Sequence, residues 1–79
     1  MPATPIDPFG AEPAYAQVAN DVERRIKAGE FTRKLPAERA FAEEYGCAYT
    51  TVRHAMAILR ERGVIITAHG RGTFVKDRS

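Results

Sequence analysis

The sequence has a single cysteine, Cys47, among 79 residues, a net charge of only +2, and little chemistry-bearing side-chain content beyond two histidines and scattered carboxylates. A lone cysteine between Gly46 and Ala48 excludes a disulfide framework and a cysteine-based zinc cluster, and fits a reducing cytoplasm. No apolar run approaches the roughly 20 residues that a membrane-spanning helix needs. Residues 1–13 lack the basic start and continuous apolar stretch of a secretory signal, so a soluble, cytoplasmic chain without membrane contact is expected. Cys47, His54 and His69 form no nucleophile, metal or phosphate-loop pattern with the carboxylates, so no enzyme, catalytic residue, metal or cofactor is expected. Cys47 reads as a half-buried packing thiol.

What is present is unevenly spread. Up to Thr32, three basic residues face five acidic ones, a balance of −2; from Arg33 onward nine basic residues face five acidic ones, a balance of +4. A polyanionic partner would therefore meet the second half. A chain this short buries roughly 60% of its unfolded surface, which limits it to one core.

Four of the five prolines fall in residues 1–13, where they deny the backbone regular hydrogen bonds. This stretch reads as a flexible arm with no Lys or Arg, either disordered or packing Ile6 and Phe9 on a neighbouring surface, and not as a minor-groove arm. The domain proper is expected over residues 14–76, with a tail at 77–79. From Ala14, Tyr15, Val18, Ala19, Val22 and Ile26 recur at helical spacing, and Gly29 closes this first amphipathic helix. Leu35-Pro36-Ala37-Glu38-Arg39 opens a second, short helix, with Pro36 at a position where a missing N–H costs nothing and Glu38 facing the helix dipole. Phe41, Ala42 and Tyr45 form its apolar stripe, and Gly46 ends it. A third helix carries Val52, Ala55, Met56 and Leu59 at i, i+3, i+4 and i+7. Beyond Gly63, the β-branched run from Val64 to Thr67 and the run Thr73-Phe74-Val75 predict two strands, joined by a glycine-containing loop with Arg71 at its tip.

The expected class is thus mainly α with a small β-hairpin: three helices followed by a two-stranded wing, the order of a winged helix-turn-helix. With the third helix's apolar stripe turned inward, about 100° per residue puts Thr50, Arg53, His54 and Ala57 outside. Arg53 suits a guanine edge or a phosphate, Thr50 a phosphate or base edge, and Ala57 permits close approach. The two other readings of this face are a solvated surface and a winged-helix module for protein contacts.

The stretch from Tyr15 to Val75 resembles the N-terminal DNA-binding domain of the GntR family of bacterial transcription regulators. The resemblance rests on Tyr15-Ala16-Gln17-Val18-Ala19, Leu35-Pro36-Ala37-Glu38-Arg39, Thr51-Val52-Arg53 with Ala55 and Leu59, Gly63-Val64-Ile65 and the wing sequence Gly70-Arg71-Gly72-Thr73-Phe74-Val75. It implies a sequence-specific regulator of transcription, a repressor, binding double-stranded DNA. Arg39 would then contact DNA, Thr50 and Thr51 would hold phosphates, and Arg53 would read bases or backbone. His69 and Gly70, with Arg71 beside them, would enter the minor groove from the wing. The alternatives are an Arg39–Glu43 pair along the helix and a capping or packing role for Thr51.

Two departures from the family pattern stand out. Tyr49 occupies a position where many members have an arginine that helps define the operator, which implies a different base preference. Tyr49 would offer its hydroxyl to a phosphate or its ring to a thymine methyl, or else pack. The connection 31–34 is shorter than usual and brings Arg33 and Lys34 near the phosphates, with Arg33 taking over part of the recognition. The family's C-terminal effector-binding and dimerising domain is not expected in this chain, which reads either as the first domain of a longer regulator or as a minimal one. Two copies on an inverted-repeat operator, a homodimer on DNA, are expected because one module this small contacts few base pairs.

Overall fold

A computed structural model describes residues 3–76 of the chain. The expected tail at 77–79 and the first two residues of the arm lie outside the described residues. Three helices and a hairpin follow one another: α1 (Ala14–Lys27), α2 (Glu38–Tyr45), α3 (Tyr49–Glu61), β1 (Ile65–Ala68) and β2 (Gly72–Val75). This is the three-helix, two-stranded winged arrangement that the apolar periodicities predict.

The stripes read from the sequence meet in one core. Val18, Ala19 and Val22 of α1, Phe41 and Tyr45 of α2, and Val52, Ala55, Met56 and Leu59 of α3 are buried with Leu35, Val64 and Ile65. Each fully buried Val, Leu, Ile, Phe or Met side chain contributes about 1.5–3 kcal/mol relative to exposure, so the α1–α3 seam fixes which face of α3 turns outward. Gly46 makes the turn between α2 and α3. At φ 65° it adopts the left-handed conformation that L side chains resist, its N–H donates to Glu43 C=O, and the Cys47 N–H donates to Ala42 C=O. Cys47 is half-buried against the core, and burial pushes its thiol pKa up, away from a nucleophile's range.

One buried residue escapes the apolar reading. Arg25, 2% exposed, lies three residues after Val22 and seven after Val18, on the inward stripe of α1. Its guanidinium pairs with Glu30, donates to Glu44 Oε1 at 2.8 Å and to the Tyr45 hydroxyl at 3.1 Å, and stands 4.9 Å from the Phe31 ring centroid. Tyr45 in turn donates to Asp21 Oδ2 at 2.6 Å. Such a charge is tolerated inside only when its donors are met, and among the described residues no buried side-chain N or O lacks a partner.

Helix and strand limits differ from the sequence reading in three places. Pro36 precedes the N-cap Ala37 and stands outside α2, keeping the chain extended into the helix start. Thr51 is not the cap of α3, since Ala48 occupies that place and Thr51 sits half-buried in the first turn. The strands run one residue later and earlier than expected: Val64 donates its N–H to Leu59 C=O at the end of α3, while Ala68 and Gly72 pair to close the hairpin.

Residues 3–13 lie against α1. Thr4 N–H donates to Asp21 Oδ2, Asp7 N–H to Gln17 Oε1, and Gln17 Nε2 to the carbonyls of Asp7 and Glu12. Ile6 packs at the core margin, whereas Phe9 is 94% exposed.

Candidate nucleic-acid interface

The apolar stripe of α3 faces the core, so its opposite side is open. Thr50, Arg53, His54 and Ala57 are all exposed, as the helical phase requires. Among the described residues no side chain caps α3; the Thr51 N–H donates to Ala48 C=O, and the positive end of the helix dipole lies beside Thr50. His54 is exposed but engaged: its ring stacks on Tyr15 of α1 with centroids 3.8 Å apart and planes at 12°.

Arg39, at the second position of α2, points across to the start of α3. Its guanidinium carbon stands 5.7 Å from the centroid of the Tyr49 ring, and that of Arg53 stands 5.9 Å from the same ring. Tyr49 is 42% exposed. The Arg39–Glu43 pair is not formed, and among the described residues neither Arg39 nor Arg53 has a hydrogen bond or carboxylate partner. Their N–H donors are unspent.

A cleft opens between α3 and the wing. Lys34, Arg53, Arg60, His69 and Arg71 line it, with Glu38 as its one carboxylate among the described residues. Gly70 adopts φ 75° in the wing turn, where the Arg71 N–H donates to Ala68 C=O. Arg60 donates to Thr67 Oγ1 at 2.9 Å, tying α3 to β1.

The connection before α2 decides which of two neighbouring cations joins this cleft. Leu35 N–H donates to Thr73 C=O and Val75 N–H donates to Arg33 C=O, so residues 33–35 run antiparallel along β2 through a Lys34–Phe74 bridge. Adjacent residues of extended chain face opposite ways. Lys34 lies over Gly72, where a Cβ would come within 3.0 Å of its Cε, and enters the cleft. Arg33 lines a different groove, beside the C-terminal end of α1, with Ile26, Lys27 and Phe31. The structure thus gathers Arg39, Tyr49, Thr50, Arg53, His69, Gly70 and Arg71 along one side, seats Thr51 behind them, and leaves Arg33 apart. Lys34 and Arg60 join in, and no periodicity in the sequence marks them, because a single bridge and a helix-to-strand hydrogen bond bring them there.

Ion pairing sharpens the electrostatic division. Arg24 pairs with Asp21, Arg25 with Glu30 and Glu44, and Lys27 and Arg62 with Glu23. These cations are neutralised on the α1 side. Lys34, Arg39, Arg53 and Arg71 make no ion pair among the described residues, so the face formed by α2, α3 and the wing carries unpaired positive charge, while Arg33 and Lys76, also without an ion pair, lie in the separate groove.

Comparison with known proteins bears on this face. The model of the family described as bacterial regulatory proteins, gntR family, matches residues 14–75. The HTH-type transcriptional repressor NagR of Bacillus subtilis (strain 168) is 40% identical over 65 residues, covering 80% of this chain and 27% of NagR, so the chain spans about a quarter of that relative. A crystal structure of the AraR DNA-binding domain in complex with operator ORE1 superposes with a TM-score of 0.78 at 30% identity, covering 90% of this chain and 89% of that one. YtrA from Sulfolobus acidocaldarius, a GntR-family transcription factor, superposes with a TM-score of 0.82 at 32% identity, covering 94% of this chain and 80% of YtrA.

Proposed function

Since the chain belongs to the gntR family of bacterial regulatory proteins, we propose that it binds double-stranded DNA sequence-specifically, as the DNA-reading part of a cytoplasmic transcriptional repressor. Helix α3 enters the major groove, where Arg53 reads a guanine edge through its paired N–H donors. Arg39 and Thr50 hold the flanking backbone or an adjacent base, and the positive end of the α3 dipole faces a phosphate. The wing brings His69, Gly70 and Arg71 to the neighbouring minor groove, while Lys34 and Arg60 hold the sugar–phosphate strand that runs through the cleft. Thr51 acts through packing, by fixing the first turn of α3.

One observation carries this reading: Arg53 projects, without an ionic partner among the described residues, from the exposed side of a helix whose other side is fully buried core. The operator complex of the AraR domain supports it, since that domain is of nearly the same extent as this chain. A single module covers only about 600–1,000 Å² on DNA, so two copies are proposed to bind the halves of an inverted repeat, as a homodimer on DNA. Selection of bound duplexes from a random pool tests all of this together. A symmetric consensus bound by two copies is expected, and recovery of no consensus overturns the reading.

A further inference from the structure

Arg39 and Arg53 come from different helices, carry the same charge, and have no carboxylate between them, yet both guanidinium groups stand within 6 Å of one ring centroid. Like charges on an open surface gain nothing from sharing a neighbourhood, and each arginine has long, freely rotating side-chain bonds. A feature attractive to both favours their gathering at one place. The Tyr49 ring is that feature: its electron-rich face attracts cations, and its attachment to the first turn of α3 places it four residues before Arg53 and across the turn from the start of α2.

We infer that Tyr49 is a positioning residue, whose ring holds Arg39 and Arg53 as one preset cationic pair and thereby sets the sequence discrimination of the interface without itself needing to touch a base. The inference rests on the DNA reading above. A guanidinium can rest against an aromatic face and still present its N–H donors to another group, because ring attraction and hydrogen bonding use different parts of it. Arg39 and Arg53 have those donors unspent. Fixing a flexible side chain before the ligand arrives removes part of the ordering cost at binding. The benefit falls on contacts that demand a defined geometry, such as a bidentate pair to a base edge, and much less on loose attraction to phosphate. Tyr49 therefore acts on cognate binding more than on non-specific binding, and does so through its ring, not its hydroxyl.

The test compares Tyr49→Phe with Tyr49→Leu, both at a half-exposed helix position that tolerates either residue, with retention of the fold checked by thermal melting. Each exposed cation–π contact corresponds to roughly a two- to fivefold factor, so Tyr49→Leu is expected to weaken a selected cognate duplex about five- to twentyfold. A scrambled duplex should lose less than about twofold, and the salt dependence should stay as in the wild type because no charge is removed. Tyr49→Phe should keep cognate affinity within about twofold. In the DNA-free protein, nitrogen-15 relaxation of the arginine Nε–H groups should show Arg39 and Arg53 ordered, and both mobile in Tyr49→Leu while Arg71 is unchanged. Equal losses in Tyr49→Phe and Tyr49→Leu overturn the inference in favour of a hydroxyl contact, and equal losses on cognate and scrambled duplexes overturn it in favour of a general effect. A wild-type chain that prefers no duplex sinks the DNA reading and the inference together. A wild-type chain that discriminates, alongside an equally discriminating Tyr49→Leu, sinks the inference alone.

Discussion

The imidazole of His54 lies flat on the phenol ring of Tyr15, 3.8 Å between centroids, and so pins the exposed side of α3 to α1. Helical phase alone assigns His54 to the same outward face as Arg53, but its ring is occupied by a neighbour within the fold. The two residues, one position apart, thus divide the work: one anchors the helix and the other projects from it.

His54→Ala is accordingly expected to lower stability by about 0.5–1.5 kcal/mol, the range for an aromatic pair beyond its area burial, with cognate affinity nearly unchanged once the protein is folded. Urea denaturation and a duplex titration on the same sample check this. A large loss of affinity at unaltered stability means that the imidazole contacts DNA.

Arg53→Ala should behave in the opposite way. Loss of a bidentate base contact costs about 1–3 kcal/mol of binding and blunts discrimination at one base pair, with little change in folding stability. Fluorescence anisotropy against a set of single-base-pair variants of the selected duplex measures both effects. An unaltered base preference removes Arg53 from the recognition role.

Lys34→Ala and Arg60→Ala test the cleft. Each should weaken binding about evenly across sequences and make the salt dependence shallower by about one phosphate's worth, since a phosphate contact positions without reading. Arg33→Ala, a neighbour of equal charge in the separate groove beside α1, serves as the comparison and should leave that slope nearly as it was. If Arg33 and Lys34 behave alike, the assignment of the two faces of this extended segment fails.

Acid should loosen the α1–α2 junction. The Arg25 guanidinium holds the Glu30 carboxyl down to about 2, from an ordinary value of 4.5. Burial alone would raise the Asp21 carboxyl, but hydrogen bonds from Tyr45, Thr4 and Arg24 outweigh it and keep that group below 3.8. A carboxyl whose pKa is lower folded than unfolded contributes its full stabilisation above the unfolded value and loses it as pH falls towards the folded one. Stability should therefore be level in this respect above about pH 5 and decline between about pH 4.5 and 2, and the decline should be flatter in Glu30→Gln. Urea midpoints measured across that range check the sign; a midpoint that rises on acidification contradicts it.

The fold was legible because its three apolar stripes and its glycines each carry a local signal: Val52, Ala55, Met56 and Leu59 mark the buried side of α3, and Gly46 marks the turn before it. The outward face follows from the inward one by geometry, which is why Thr50 and Arg53 could be located without coordinates. The rest depends on contacts between distant segments. Arg25 looks like surface charge until Glu30, Glu44 and Tyr45 are brought around it. Arg33 and Lys34 are both cations and adjacent in sequence, and only the extended pairing of residues 33–35 along β2 sends one to the cleft and the other to the groove beside α1. Tyr49 admits several roles by residue type, and it is the approach of Arg39 from a second helix that singles one out.

The central claim is that an uncompensated cationic face formed by α2, α3 and the wing meets the phosphates of duplex DNA. Affinity for a selected duplex, titrated between about 50 and 200 mM salt, tests it most directly. With about six phosphates neutralised, log affinity should fall with log salt at roughly −0.9 per phosphate, a loss on the order of a thousandfold across that range. An affinity that barely moves over the same range contradicts the account and points instead to a protein partner on this face.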